Sequence, residues 1–138
     1  MRISTYRIHR TVLYGDCDPA GVIYSPRACH YIVEAVLDFQ KHCFKSPAAR
    51  TFLSLGLLPA ARKISIEYLA PLTCDDEIVL EVVCVKIGKS SFTCEVRAFR
   101  TDHTLALTGL VSQVCVSEIS KKPVPVPEKI RVALQQRL

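Results

Sequence analysis

The spacing of apolar residues changes period several times along the chain, and each change predicts an element. Arg7 to Tyr14 mixes β-branched and aromatic residues as a strand does, and Gly15 follows where the backbone can turn sharply. Between about Pro26 and about Lys45 the residues Ile32, Val33, Val36, Leu37, Phe39 and Phe44 recur at roughly helical spacing over a wide face, the pattern of a long and largely buried helix. Ser25-Pro26 marks its start, with a hydroxyl for the N-cap and then a proline at the first helical position. Ser46-Pro47 repeats the signal before a short second helix from Pro47 to about Leu55, which Gly56 stops.

Beyond Gly56 the period falls to two. Ile64, Ile66 and Tyr68 alternate with Lys63, Ser65 and Glu67; Ile78 to Ile87 is apolar on both faces; Phe92, Cys94, Val96 and Ala98 alternate with Thr93, Glu95 and Arg97; Leu105 to Val116 makes a fourth strand. The turn-rich segments between these runs predict an antiparallel meander. Pro123-Val124-Pro125-Val126-Pro127 is too broken for a sheet interior and reads as an extended tether into a terminal amphipathic helix, Pro127 to about Gln136. One strand, a central helix and then a run of strands is an α+β layout, a curved antiparallel sheet of five or six strands wrapped around one central helix. Such a sheet keeps open edges, and a strand apolar on both faces needs cover, so self-association is expected.

The length of 138 residues is expected to make a single domain over 1–138, able to bury a core without metals or disulfides and too short for a TIM barrel. Seven cysteines, at 17, 29, 43, 74, 84, 94 and 115, with no C-x-x-C pair, read as buried thiols in a reducing cytoplasm and not as a disulfide framework or zinc site. No metal is expected. The N-terminal MRISTYRIHR lacks the apolar stretch of a signal peptide, and Glu81 and Lys86 interrupt the longest apolar run, so no membrane span is expected. The absence of Asn removes any N-glycosylation acceptor and the third member of a Cys-His-Asn set. The formal charge of +5 is scattered, Arg62-Lys63 and Lys121-Lys122 being the only adjacent basic pairs, which argues against nucleic acid and leaves room for a small polyanionic ligand.

The most loaded loop is Gly15-Asp16-Cys17-Asp18-Pro19-Ala20-Gly21. Asp16 and Asp18 read equally well as turn-forming carboxylates and as chemistry. On the second reading, a carboxylate on a stiff Asp-Pro hinge just before a helix N-terminus stands beside a ready-made anion site, an arrangement suited to acyl transfer.

The segment Tyr14-Gly15-Asp16-Cys17-Asp18-Pro19-Ala20-Gly21-Val22-Ile23-Tyr24-Ser25-Pro26 resembles the signature of the 4-hydroxybenzoyl-CoA thioesterase family of hotdog-fold enzymes. Tyr31 with Glu34-Ala35, Gly56-Leu57-Leu58-Pro59, Tyr68-Leu69-Ala70-Pro71 with Asp75-Asp76, Ile87-Gly88-Lys89-Ser90-Ser91-Phe92 and the closing Pro-Val-Pro-Glu follow in the family's order, so the resemblance covers nearly the whole chain. It implies hydrolysis of an acyl-CoA thioester, aryl-CoA or short acyl-CoA first of all, with Asp18 and not Asp16 as nucleophile or general base. It implies the backbone N–H at Ser25 as oxyanion donor and Lys89 and Ser90 as holders of the CoA phosphates, with Tyr24, Arg27, Tyr31 and Glu34 as substrate-binding candidates that line or gate the pocket. Coenzyme A is then part of the substrate, and no separate cofactor is implied. Family members pair edge to edge with active sites at the subunit boundary, which implies a homodimer or homotetramer. One departure is that relatives associated with the bacterial envelope Tol-Pal system carry His where Ser25 stands, bringing the likeness nearer the aryl-CoA type.

Competing readings are weaker. Gly88-Lys89-Ser90 ends like a phosphate-binding P-loop, but position 83 is Val where that motif needs glycine, and no strand-to-helix context surrounds it. Cys17 as a nucleophile partnered by His9, His30, His42 or His103 is opposed by its flanking carboxylates, which raise a thiol's pKa. His30, in a helix, reads as a packing residue. A thioesterase acting on an acyl group borne by an acyl-carrier protein and a non-catalytic thioester-binding hotdog protein remain as alternatives. A carboxylate at Asp18 beside an electrophilic carbonyl argues against the latter.

Overall fold

The computed structural model describes residues 5–135, so the expected helix end at Gln136 lies outside the described residues. Strand β1 (Tyr6–Thr11) leads through a 3-10 turn (Tyr14–Asp16) and a loop to helix α1 (Ser25–Phe44). A short helix α2 (Ala48–Ser54) and strands β2 (Leu57–Tyr68), β3 (Glu77–Ile87), β4 (Ser91–Arg100) and β5 (Leu105–Ser117) follow, and helix α3 (Glu128–Leu134) closes the chain. The first strand stops at Thr11, short of the expected Tyr14, because Asp16 pulls the chain into a tight turn. Its N–H donates to the Leu13 carbonyl at 2.9 Å, and its carboxylate accepts the Leu13 N–H at 3.0 Å.

Helix α1 buries Ala28, Ile32, Ala35, Val36, Phe39 and Cys43, a single stripe at three- and four-residue spacing, while Glu34 and Leu37 face outward. It is therefore covered on one side, not all round. Its start also differs from the expected cap. Tyr24 is the N-cap residue, Ser25 and Pro26 are the first two helical residues, and no side chain caps the helix. At α2 the cap position is Pro47, again without a side-chain bond. In both places the proline acts by lacking an N–H where the helix would leave one orphaned.

The sheet has the order β1-β3-β4-β5-β2, all neighbours antiparallel. Strands β3, β4 and β5 form a meander as expected, but β2 pairs with β5 and not with β3. Segment 69–76 carries the chain across the end of the sheet instead of making a hairpin, pinned by Leu69 N–H to Ala106 O at 2.8 Å, Ile23 N–H to Leu72 O at 2.8 Å and Asp75 N–H to Val12 O at 2.7 Å. The edge position of β2 tolerates Pro59 in the strand. On β3 the residues Ile78, Leu80, Val82 and Cys84 are buried toward the helix, whereas Val85 is 49% exposed, so within one chain the sheet is covered on its inner face only.

Two features set the site's surroundings. At the far end of the sheet Phe52 stacks on Phe92 with centroids 5.9 Å apart and meets Phe44 edge-on at 5.5 Å, fixing α2. The C-terminal segment holds the β3–β4 turn there, through Val126 N–H to Lys89 O at 2.8 Å and Arg131 Nη2 to Gly88 O at 2.9 Å. At the middle of β5, Gly109 lets the helix come down onto the sheet: a Cβ there would sit 2.8 Å from Ile32 Cγ2, and Ile32 is fully buried. Among the described residues no helix is long and apolar enough to cross a membrane.

Replacing Gly109 with alanine should therefore lower stability by about 1–3 kcal/mol through overpacking against Ile32. Urea unfolding of Gly109→Ala measures this, and a midpoint equal to wild type would show that the helix does not need the close approach.

Candidate active site

The loop between β1 and α1 is a miniature antiparallel pair. Asp18 N–H donates to Val22 O at 2.9 Å, Cys17 bridges Ile23, and Tyr24 N–H donates to Asp16 O at 2.8 Å. Its tip is a four-residue turn closed by Gly21 N–H to Asp18 O at 2.9 Å, with Asp, Pro and Gly at the positions such turns favour. Gly21 has φ +84°, a conformation that a side chain would disfavour. The loop delivers the chain straight into α1, whose first turn offers orphan N–H groups. Arg27 and Ala28 N–H turn back to Tyr24 O at 2.8 and 3.2 Å and Pro26 has none, which leaves the Ser25 N–H at the helix mouth.

The two aspartates have opposite surroundings. Asp16 is 4% exposed and accepts from the Tyr31 hydroxyl, from Arg27 Nε at 2.7 Å and from Leu13 N–H at 3.0 Å. Burial alone would raise its pKa, but the donors Tyr31, Arg27 and Leu13 outweigh it and hold the carboxyl at about 2. Burial and the Asp16 carboxylate push the Tyr31 phenol well above its ordinary range, so it stays a donor. Asp18 is half-exposed, and its carboxylate receives only Ala20 N–H at 2.8 Å among the described residues. One carboxylate is fully engaged, and the other, on the turn that precedes α1, has one oxygen without a protein donor among the described residues.

Tyr24 and Ser25 lie at the start of α1, Tyr24 55% exposed, and Asp18 lies on the same loop, two rungs further out opposite Val22. Arg27, Tyr31 and Glu34 point their polar groups at protein partners. Arg27 and Tyr31 hold Asp16, while Glu34 pairs with Arg10 Nη1 at 2.6 Å, and the Arg10 guanidinium lies 3.7 Å over the Tyr31 ring. Lys89 and Ser90 form the β3–β4 turn at the opposite end of the sheet. The near end is marked by Thr11 opposite Glu77, so the length of β3 puts the turn roughly 30 Å from the loop. No single chain brings Asp18 and Lys89 together.

Three participants escaped the sequence reading: the anchoring role of Asp16, the clamp of Arg10 on Tyr31, and Tyr68, whose hydroxyl donates to Ser25 O at 2.7 Å. An open groove of about 320 Å³ runs beside the helix mouth, lined by Val22, Ile23, Ser25, Tyr68, Leu69 and Leu72 among others. Cys17 sits in the loop with its Sγ 3.6 Å from Leu13 O. Desolvation, then the charges of Cys74, Asp16, Asp18 and Asp76, raise its pKa and suppress the thiolate. Four of the seven cysteines are buried as expected, and Cys17, Cys29 and Cys74 are half-buried.

A curved antiparallel sheet around one helix, with an acidic loop at that helix's N-terminus, is the hotdog fold. Residues 12–134 match the model of the thioesterase-like superfamily, and the chain belongs to that family. The 1,4-dihydroxy-2-naphthoyl-CoA hydrolase of Synechococcus elongatus is 25% identical over 139 residues, covering 96% of this chain and 97% of the relative. The acyl-CoA thioester hydrolase YbgC of Escherichia coli is likewise 25% identical, over 136 residues, covering 99% of this chain and all of the relative. In fold, a 4-hydroxybenzoyl-CoA thioesterase variant solved with 4-hydroxybenzoyl-CoA superposes with a TM-score of 0.85 at 17% identity, over 94% of this chain and 98% of that one.

Asp16 makes stability depend on pH. Its ordinary pKa of 3.8 falls to about 2 on folding, so its contribution is complete above pH 3.8 and is lost as pH falls through 2. The size is about 2 kcal/mol. Urea unfolding of wild type and Asp16→Asn from pH 6 to pH 2 should show the variant less stable at pH 6, the gap closing in acid; a constant gap would contradict the burial of a charged Asp16.

Proposed function

We propose that the protein hydrolyses acyl-CoA thioesters, aryl-CoA or short acyl-CoA first of all, with Asp18 as the reacting carboxylate. The observation that carries this is the contrast between the two aspartates: Asp16 is occupied by three donors, and Asp18, on the loop that leads into α1, receives only the Ala20 N–H among the described residues. The relatives named above as hydrolases of a naphthoyl-CoA and of acyl-CoA thioesters support the reaction class. The thioester carbonyl lies against the Ser25 N–H, where helix-terminal donors stabilise the oxyanion that develops on attack. Asp18 either attacks the carbonyl carbon, expelling CoA thiolate and leaving a mixed anhydride that water opens, or removes a proton from the water that attacks directly. Both routes end in a carboxylic acid and free CoA thiol.

The distance between Asp18 and Lys89 supports an oligomeric site. CoA phosphates held by Lys89 and Ser90 reach the acyl centre only if a second copy brings its own β3–β4 turn to the loop. The edge strand β2, exposed from Ala60 to Ser65, is a surface on which copies can pair as a homodimer, with a homotetramer as the next step. Tyr24, exposed at the helix mouth, is placed to touch the acyl group or the neighbouring copy. The half-buried thiols fit a reducing cytoplasm.

Thiol release from a panel of aryl-, short- and long-chain acyl-CoA esters tests the reaction. Asp18→Asn should lose activity by about a hundredfold or more with an unchanged melting temperature; wild-type turnover in that variant would remove Asp18 from the chemistry. If only acyl-carrier-protein thioesters turn over, the carrier-bound substrate replaces CoA. Lys89→Ala should raise KM several-fold for CoA esters and leave KM for the matching N-acetylcysteamine thioester, which has no phosphates, unchanged. An equal effect on both would detach Lys89 from phosphate binding.

A further inference from the structure

We propose that Tyr68 is a positioning residue for the oxyanion donor, holding the first turn of α1 by the hydrogen bond from its phenol to the Ser25 carbonyl; this rests on the thioesterase reading above. Tyr68 is the last residue of β2, and its hydroxyl donates to Ser25 O at 2.7 Å across the groove that both residues line. Among the described residues it supplies the only side-chain hydrogen bond to residues 24–26, since no side chain caps the helix. Pro26 gives this turn no N–H and biases the residue before it away from helical geometry, and the Tyr68 phenol adds a hold on the Ser25 carbonyl from outside the helix.

Two bonds from different elements meet at this point. Tyr24 N–H is fixed to Asp16 O at 2.8 Å on the loop side, and Ser25 O is fixed to Tyr68 at 2.7 Å on the sheet side. The peptide between them carries the Ser25 N–H, and clamping both flanks sets the direction in which that N–H points. The ring is 50% exposed, so the bond sits at the rim of the groove and outside the packed core. Oxyanion donors act through preorganised direction, and small misplacements of such groups cost rate and not ground-state binding.

The test is Tyr68→Phe, which keeps the ring and removes only the hydroxyl, with kcat and KM measured on the best CoA ester, and with amide hydrogen exchange at Ser25, Arg27 and Ala28 measured by NMR. The expected result is a drop in kcat of about tenfold with KM within about twofold, an unchanged melting temperature, and amide exchange in the first turn of α1 at least about fivefold faster. Wild-type kcat, or a loss that appears wholly in KM, would overturn the positioning role. Should the wild-type protein turn over no thioester at all, the reaction assigned above fails by itself. The exchange measurement still decides the clamp: faster exchange in Tyr68→Phe supports it, and unchanged exchange overturns it.

Discussion

A single buried carboxylate organises the end of the molecule that carries the loop. Removing a carboxylate from water costs several kcal/mol unless hydrogen bonds replace its hydration, so Asp16 is stable only where its three donors converge. Those donors come from just beyond the end of β1, through Leu13 N–H, and from the first two turns of α1, through Arg27 and Tyr31. The carboxylate therefore ties strand to helix and leaves the intervening loop one way to run. Arg10 extends the tie by lying over Tyr31 and pairing with Glu34, which returns to the same helix one turn further along.

The packing below that loop follows from one small residue. Gly109 lets Ile32 sit directly on β5, and the stripe Ala28, Ile32, Ala35, Val36, Phe39 and Cys43 then runs along the inner face of the sheet. With the helix seated this closely, its N-terminus emerges beside segment 69–76, and Leu72 O captures Ile23 N–H. The groove at the helix mouth is thus a consequence of the crossover. Had β2 paired with β3, as adjacent strands often do, this segment would have been a hairpin and the wall of the groove would be absent.

Much of this was legible in the residues. The change from helical to alternating period placed α1, β3, β4 and β5 within a few positions, because burial on one face imposes the same spacing on any sequence, whereas β2 begins at Leu57, six residues before the alternation that starts at Lys63. The strand order was not legible, because β2 and the meander strands share one alternating pattern and a pattern has no memory of its neighbour. Nor was the missing cap: Ser25 looks like an N-cap, yet the Tyr24–Asp16 backbone bond shifts the helix start by one residue. Arg27, Tyr31 and Glu34 stood out as chemistry-bearing residues near the loop, and their contacts with Asp16 and Arg10 depend on helix phase as well as on identity. Tyr68 was visible as a strand residue and in the family-like Tyr68-Leu69-Ala70-Pro71 run, but its bond to Ser25 was not, since that partner lies 43 positions away.

Residues 16 to 18 show how little residue type decides and how much surroundings do. Two aspartates and a cysteine lie consecutively, and all three side chains belong to types able to attack a carbonyl. Asp16 is enclosed by donors that hold it charged and occupied. Cys17, partly desolvated and facing Cys74 and three carboxylates, is held in its neutral, unreactive form. Asp18 alone sits on a turn tip with one bond from Ala20 N–H and an oxygen to spare. The same burial that engages Asp16 places Cys17 among negative charge and leaves Asp18 half-exposed, so a single folding constraint gives three adjacent side chains three states: a buried anchor, a neutral thiol and a carboxylate with one bond from its own turn.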